Sequence, residues 1–430
     1  MKLPKNGKIV IVDNDPSEAL PLMKVLSKFG HPALFFSEKE GDLPENPLTG
    51  IRVLFLDMVL IHGEENDPVI ISGALKSVLD RILSQDNGPF LPIAWTKKSA
   101  HIQELRNYLD SRNFHFPIIP MKKTECKQDG SDDWDLELIQ SKLTEAISGN
   151  ESLDFFTSWE NITNESAMTT VKQISGLKPF EETWNEEMKS IILKLARGYV
   201  GKQLDKSNSQ DVILNSFFAL NAAFNDNLYT LIKTDGKIQK IDLNFEGISE
   251  KDDPETNGTI NSKLNLTEID DCKHMPGNVY DLHNSEKVCI FDLFQEVKEI
   301  DETETKTITY RDVKEELKAN LKHVVLESTP SCDYAQNKWR VSRLIPGVLW
   351  PSKFSKMIKK NAQFVYCTPI IRHSDGKLYH LVFDFRYFTS TTFEKIEDSK
   401  YLFRIKQELL TDIQSQLSSH VNRPGIISLD

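Results

Sequence analysis

The stretch Val53-Leu54-Phe55-Leu56-Asp57 constrains the fold of this chain most strongly. Four consecutive apolar residues that end in a carboxylate are typical of a strand buried on both faces, as in a parallel sheet. Open α/β sheets place their ligand sites at the carboxyl edge of such strands. The stretch therefore predicts a buried strand that delivers Asp57 to a functional edge.

Other apolar runs in the first 150 residues alternate with helical patterns in the same way. The predicted strands are Lys8–Val12, Ala33–Phe36, Ile51–Leu56, Phe90–Trp95 and Phe116–Ile119. Strands that alternate with helices through short connections predict a (βα)5 doubly wound parallel sheet. A Rossmann cofactor site is disfavoured, because no glycine-rich turn follows the first strand.

Acidic side chains follow the first and third predicted strands. Asp13, with Asn14 or Asp15, follows the first strand, and Asp57 follows the third. Carboxylate oxygens suit a hard divalent cation, so we expect Mg²⁺ to be held by Asp57 and this group. Asp57 itself is the expected nucleophile for a phosphoryl group.

A hydroxyl and an ammonium group follow the fourth and fifth strands. Thr96 could donate a hydrogen bond to a phosphoryl oxygen. Lys122 or Lys123 could pair with the phosphate as a mobile charge, and the sequence leaves open which lysine does so. Acid, acid, hydroxyl and ammonium at four strand ends predict phosphoryl transfer to an aspartate.

Residues 8 to about 148 resemble the receiver domain of two-component response regulators. The motifs that carry this resemblance are Ile11-Val12-Asp13-Asn14-Asp15-Pro16, Leu56-Asp57, Ile93-Ala94-Trp95-Thr96 and Pro120-Met121-Lys122-Lys123. The resemblance implies that Asp57 accepts a phosphoryl group from the phosphohistidine of a partner kinase.

The chain departs from the receiver pattern at three places. Asn14 stands where receivers usually carry a second acid, and Thr124 follows Lys123 where a proline is usual. The aromatic switch residue three positions before the lysine is replaced by Ile119 or Pro120. A missing aromatic favours a phosphate sink over a relay. The alternative for this region is an inert receiver-like or flavodoxin-like domain whose carboxylates only cap strand ends.

The remaining chain predicts two further parts. We expect a receiver-like domain at 1–150, a helical section at 151–235 and an α+β domain at 236–430. The helical section carries aromatic stripes typical of a bundle core. The last part reads as a long polar loop at 244–275, then a mainly antiparallel sheet and a terminal helix.

The turn Thr329-Pro330-Ser331-Cys332-Asp333 is the most distinctive stretch of the last part. A zinc site there would draw on the scattered residues Cys272, His274, His283, Cys289 and Cys367. A cysteine nucleophile would need His373 or His380 as its base. The favoured interpretation is a small buried Cys332, with Asp333 capping a turn.

The whole chain resembles the phosphate-buffer proteins of Detocs-like bacterial anti-phage systems. This resemblance rests on the receiver motifs, on the Thr329–Asp333 turn and on two further motifs. These are Pro276-Gly277-Asn278-Val279-Tyr280 and Ser419-His420-Val421-Asn422-Arg423-Pro424-Gly425. It implies a protein that absorbs phosphoryl groups from a sensor histidine kinase, which an effector protein could share.

Composition narrows the remaining function classes. The formal net charge of -12 disfavours broad nucleic-acid binding, which needs clustered cations. The sequence has no apolar signal segment or membrane span, and its five cysteines are scattered, so we expect a cytoplasmic protein. We expect a phosphoacceptor rather than an enzyme. The alternatives are a phosphorylation-gated effector enzyme with its active site in the last part, or a transcriptional response regulator. The oligomeric state is left open.

Overall fold

In a computed structural model of this chain, most of the 430 residues are described. The described residues are 8–60, 67–97, 101–148, 151–201, 204–234, 236, 243–248, 250, 253–267, 275–281, 288–300, 305–330, 333–334, 339–392 and 399–422. Several residues discussed above lie outside them, namely Cys272, His274, His283, Ser331, Cys332, Arg423, Pro424 and Gly425.

The N-terminal part contains the predicted five-stranded parallel sheet. Its strands are β1 (Lys8–Val12), β2 (Ala33–Phe36), β3 (Ile51–Leu56), β4 (Leu91–Thr96) and β5 (Ile119–Lys122). They lie in the order β2-β1-β3-β4-β5, and every pair is parallel. This confirms the predicted parallel α/β sheet, a layout that is consistent with a receiver-like fold. The prediction for β5 was wrong in position, because the strand begins at Ile119 and not at Phe116.

Helices cover both faces of this sheet. They are α1 (Pro16–Lys28), α2 (Pro68–Ile82), α3 (Ile102–Ser111) and α4 (Leu136–Ser148). Leu54 and Leu56 point into a core with α2 and α3, whereas Val53 and Phe55 point into a core with α1 and α4. Both faces of β3 are therefore buried, which is why its sequence is apolar without alternation.

Three long helices follow, α5 (Glu151–Ser175), α6 (Trp184–Val200) and α7 (Ser209–Thr234). Small polar residues mediate their close contacts. The Ser166 hydroxyl donates to Phe224 O, and the Ser216 hydroxyl donates to Ile192 O. The aromatic stripe of α7 does not form the predicted bundle core, since Phe217 is 62% and Phe218 41% exposed.

The C-terminal part is built on an antiparallel sheet, as predicted. Its strands are β6 (Leu266–Thr267), β7 (Asn278–Asp281), β10 (Lys322–Glu327), β11 (Ser342–Pro351), β12 (Val365–Cys367), β13 (Ile371–Arg372), β14 (Leu378–Asp384), β15 (Thr389–Thr391) and β16 (Tyr401–Ile405). The main order is β12-β14-β11-β10-β7-β16-β6, with β13 on β14 and β15 on β11. A separate hairpin pairs β8 (Val297–Ile300) with β9 (Thr305–Ile308).

Among the described residues, four helices with defined bounds accompany this sheet, and two of them correct the sequence prediction. They are α8 (Pro254–Asn265), α9 (Ile290–Leu293), α10 (Tyr310–Asn320) and α11 (Gln407–Val421). The predicted polar loop contains α8, which Asp253 caps by accepting from Glu255 N and Thr256 N. The apolar run Val288–Phe291 is typical of a strand, yet Cys289 is the N-cap of α9, and Ile290 and Phe291 lie in that helix.

By compactness the chain divides into two units, residues 1–191 with 217–246, and residues 192–216 with 247–430. The predicted three-part division at 150 and 235 stays a prediction. Among the described helices, none is long and apolar enough to cross a membrane.

Candidate functional site

The carboxyl edge of the parallel sheet gathers acidic side chains from neighbouring strands. Because β1 and β3 are adjacent, Asp13 and Asp57 follow them side by side, and Asp57 N donates to Val12 O at 2.9 Å. Asp13 is fully buried and Asp57 is 7% exposed. The sheet therefore holds two carboxylates out of water at one edge.

Lys123 supplies the cation that these carboxylates need. Its Nζ lies 2.6 Å from Asp57 Oδ2 and 2.8 Å from Asp13 Oδ2. The Lys123 side chain is fully buried, so its ammonium group lies among the carboxylates and not on the surface of the protein. Buried charges persist in proteins only when they are paired in this way.

Lys122 takes a different position. Residues of β5 alternate between exposed Pro120, buried Met121 and exposed Lys122. The strand ends there, but the alternation continues for one more residue, so Lys123, the first residue of a 3-10 turn over Lys123–Cys126, points inward. Lys122 pairs instead with Glu125 at 3.2 Å, on the surface. Of the two candidate lysines, only Lys123 contacts Asp57.

Glu18, which was not among the residues predicted from the sequence, completes the cluster. Its Oε2 lies 2.8 Å from Lys123 Nζ, and its Oε1 pairs with Lys97. Carboxylate oxygens of Asp13, Glu18 and Asp57 lie within 4.8 Å of one another, so the three could hold a metal ion. Glu18 is the third residue of α1, where a glutamate commonly reaches back towards the start of its helix. Its position in the first turn of α1, directly after β1, is the sequence signal that could have identified Glu18 as a member of the cluster.

Asp15 has a structural role at the start of α1, and the metal-ligand role predicted for Asp15 and Asn14 stays a prediction. Asp15 caps α1, since its Oδ1 accepts from Ser17 N at 2.9 Å and from the Ser17 hydroxyl at 2.7 Å. Its backbone N–H donates to Asp13 Oδ1 at 3.0 Å, which orients that carboxylate. Asn14, between these two residues in the chain, is half-buried.

Thr96 ends β4, next to β3 and directly opposite Lys122 of β5. It is 2% exposed, so its hydroxyl lies at the same edge as Asp57 but within the protein. The Val59 N–H donates to Asp57 Oδ1 at 3.2 Å and fixes the second oxygen of that carboxylate. The Asp57 carboxylate thus contacts an ammonium group and a backbone amide, and the Thr96 hydroxyl lies at the same edge of the sheet.

Burial and pairing act against each other on the acid and base strengths. Burial raises the pKa of Asp13 to about 6, and the nearby Lys123 charge offsets only part of that rise. Burial would lower the pKa of Lys123, but the charges of Asp57 and Asp13 outweigh it and raise this pKa to about 12. Burial also opposes ionisation of Glu18, yet hydrogen bonds from Lys123 and Lys97 bring its pKa below the usual value. Lys123 therefore stays charged at neutral pH.

No model of a known protein family matches this chain, and no curated protein is similar to it in sequence. Interpretation of the site therefore depends on its geometry and chemistry.

The described residues of the last part give little support to the zinc site or the cysteine nucleophile considered from the sequence. Asp333 pairs with Arg343 at 3.3 Å, while Cys332 lies outside the described residues. His380 Nδ1 bonds Thr368 O at 2.8 Å, and burial lowers its pKa. Within the described parts of the chain, the acidic cluster at the sheet edge is the one group of three or more His, Cys, Asp or Glu side chains that could hold a metal ion.

Proposed function

We propose that this protein is a phosphoacceptor that receives a phosphoryl group on Asp57 from the phosphohistidine of a sensor kinase. The observation that carries the proposal is the position of Lys123 Nζ, 2.6 Å from Asp57 Oδ2 and 2.8 Å from Asp13 Oδ2. A nucleophilic carboxylate held beside a buried cation suits transfer of a charged group.

The residues of the edge divide the work between them. An Asp57 oxygen attacks phosphorus, the P–N bond to the donor histidine breaks, and its electron pair stays on the histidine nitrogen. Lys123 then moves from pairing a carboxylate to pairing the phosphoryl group, which it can do because its stem is flexible. Thr96 donates a hydrogen bond to a phosphoryl oxygen from the end of β4.

The acidic cluster fits Mg²⁺, because its three carboxylates supply the oxygen ligands that this ion prefers. Asp13, Glu18 and Asp57 would hold it. When bound, the ion neutralises negative charge that builds up at the phosphoryl group. Glu18 would replace the carboxylate that Asn14 lacks.

A sink role is favoured over a relay by residue 120. With Lys123 as the site lysine, the position three residues earlier is Pro120, an exposed residue of β5. Proline has neither an aromatic ring to rotate nor a backbone donor to exchange. Phosphorylation would then change the site without moving a switch side chain. We therefore propose a phosphate buffer in an anti-phage cascade, in which an effector draws on the same kinase.

The proposal is tested by incubating the full chain with a histidine kinase encoded beside it and measuring intact mass. We expect one added phosphoryl group in the wild type and none in Asp57→Asn or Asp57→Ala. Asp86→Asn, at an exposed loop position, is the matched control and should behave as the wild type. Equal phosphorylation of the Asp57 variants would disprove the assignment.

The contribution of Glu18 to metal binding can be separated from that of Asp15. Glu18→Gln removes one of three charged ligands, so Mg²⁺ should bind about ten-fold or more weakly. Asp15→Asn keeps a good helix cap and should bind Mg²⁺ as the wild type does. Calorimetric titration of Mg²⁺ into the three proteins measures both effects. A larger loss in Asp15→Asn would return Asp15 to the ligand set.

A further inference from the structure

Lys97 lies directly after Thr96, where β4 reaches the carboxyl edge of the parallel sheet. Its side chain is 55% exposed, and its Nζ contacts Glu18 Oε1. The other oxygen of the same carboxylate, Oε2, lies 2.8 Å from Nζ of the buried Lys123. Glu18 therefore bridges one exposed and one buried ammonium group.

Both oxygens of Glu18 are thus engaged by lysines, although Glu18 belongs to the carboxylate cluster that could hold a metal ion. A divalent cation that shared an oxygen with an ammonium group would lie very close to it, and like charges repel each other strongly at a partly buried site. Ligation of a metal ion by Glu18 therefore requires one of the two lysines to withdraw.

The two lysines differ in how easily they can withdraw. The Lys123 side chain has no exposed surface and also contacts Asp13 and Asp57, so its withdrawal would leave buried carboxylates without a partner. The Lys97 side chain is more than half exposed and already partly hydrated, so loss of its pair with Glu18 costs little. This comparison favours Lys97 as the lysine that withdraws, with Lys123 kept among the carboxylates.

Withdrawal leaves the Lys97 ammonium group close to the acceptor carboxylate. Glu18 and Asp57 contribute oxygens to a group whose members lie within 4.8 Å of one another, and Lys97 contacts the Glu18 carboxylate. The flexible four-carbon stem of a lysine can cover such a distance. The pKa of Asp15 is lowered mainly by hydrogen bonds from Ser17 and less by the Lys97 charge, so this acid attracts Lys97 only weakly.

We propose that Lys97 is a positioning residue that withdraws from Glu18 when a divalent cation binds there, and that its released ammonium group then binds the incoming phosphoryl donor. A phosphoryl group carries more negative charge than a carboxylate, so it attracts the released lysine more strongly than Asp15 does. Metal binding would thereby prepare the edge for the donor. The withdrawal depends only on the carboxylate cluster, whereas the donor step rests on the phosphoacceptor role proposed above.

Calorimetric titration of Mg²⁺ into the full chain, at constant ionic strength, tests the withdrawal. Lys97→Gln removes the competing ammonium group, so Mg²⁺ should bind about three-fold more tightly, the change that corresponds to an exposed ion pair. Lys122→Gln removes the same charge from the exposed end of β5 and should change the Mg²⁺ affinity less than about two-fold. In a Glu18→Gln background, Lys97→Gln should have no further effect, because the two residues act through one pair.

Two results would overturn the withdrawal. One is a Mg²⁺ affinity of Lys97→Gln that equals or falls below that of the wild type. The other is an equal gain from Lys97→Gln in the presence and absence of the Glu18 carboxylate, since Lys97 would then act without that residue. Circular dichroism of each variant verifies that the fold is intact.

The donor step is tested with phosphoramidate, a small donor whose P–N bond matches that of phosphohistidine. An Asp57 oxygen bonds to phosphorus, the P–N bond breaks, and the electron pair leaves with the nitrogen as ammonia. The rate of mass gain is measured against donor concentration at saturating Mg²⁺. Lys97→Gln should raise the half-saturating donor concentration about ten-fold, because a charge-assisted contact is lost. Lys97→Arg should largely restore it, and Lys122→Gln should behave as the wild type.

The outcomes separate the donor step from the phosphoacceptor role. If Asp57 gains a phosphoryl group and Lys97→Gln leaves the half-saturating donor concentration unchanged, the donor step is wrong and the acceptor role stands. If the wild type gains no phosphoryl group from phosphoramidate or from the kinase, both are wrong. The Mg²⁺ titrations still decide whether Lys97 withdraws from Glu18.

Discussion

Replacement of Lys123 by methionine is expected to lower the free energy of unfolding by about 3–5 kcal/mol. Methionine fills a similar volume but carries no charge. It would leave the carboxylates of Asp13, Glu18 and Asp57 facing one another without the ammonium group that now lies between them. Urea denaturation at neutral pH measures the loss.

The neighbouring lysine provides the control. Lys122→Met removes an exposed side chain that pairs with Glu125, so its effect should stay within about 0.5 kcal/mol. Addition of Mg²⁺ should restore part of the stability of Lys123→Met, because an ion held by the three carboxylates would stabilise the folded state and replace the missing charge. Equal effects of the two lysine substitutions would show that Lys123 does not neutralise the cluster.

The edge of the parallel sheet was predictable because strand signals are local. Apolar runs that end in Asp13, Asp57 and Thr96 identify buried strands and their carboxyl ends directly. The order of the strands then brings these ends together. Lys123 was only one of two candidates, since side chains alternate between the two faces of a strand and a one-residue shift in the register of β5 would turn Lys122 inward instead.

Other features depend on contacts that sequence patterns do not encode. Glu18 was missed because a carboxylate in the first turn of a helix is also explained by the helix dipole alone. The polar segment that contains α8 has no apolar periodicity. It is helical because Asp253 caps it and because it packs on the β13–β14 hairpin. Leu402 and Ile405 fit a helical stripe with Leu409, yet they belong to β16, which pairs with β7.

The charge balance at the edge connects its structure to its proposed role. Three carboxylates share one buried ammonium, and Lys97 at the rim is 55% exposed. The cluster therefore carries more negative than positive charge, which favours a divalent cation. A phosphoryl group adds further negative charge, so metal and Lys123 would be needed together. Pro120 leaves this change without a switch residue, as expected of a buffer.

The raised pKa of Asp13 gives a second large effect, on the pH dependence of stability. Its pKa rises from 3.8 to about 6 on folding, so the folded state favours the protonated form. The contribution of Asp13 to stability is present below pH 4 and is lost as pH rises through 6. By linkage this loss amounts to about 3 kcal/mol at pH 7. Asp13→Asn has no carboxyl group to ionise at this position, so it should not suffer this loss and should be more stable than the wild type at neutral pH.

Urea denaturation of the wild type and Asp13→Asn between pH 4 and pH 8 measures this difference. We expect the advantage of Asp13→Asn to grow from pH 4 to pH 6 and then level off. Glu18→Gln is a control of opposite sign, because folding lowers the pKa of Glu18. The Glu18 carboxylate therefore stabilises the protein at pH values above its pKa in the unfolded chain, and this stabilisation is lost as the pH falls. That variant should be less stable than the wild type at pH 7, with a gap that narrows as pH falls. A constant difference between Asp13→Asn and the wild type across this range would show that Asp13 ionises as easily in the folded chain as in the unfolded one.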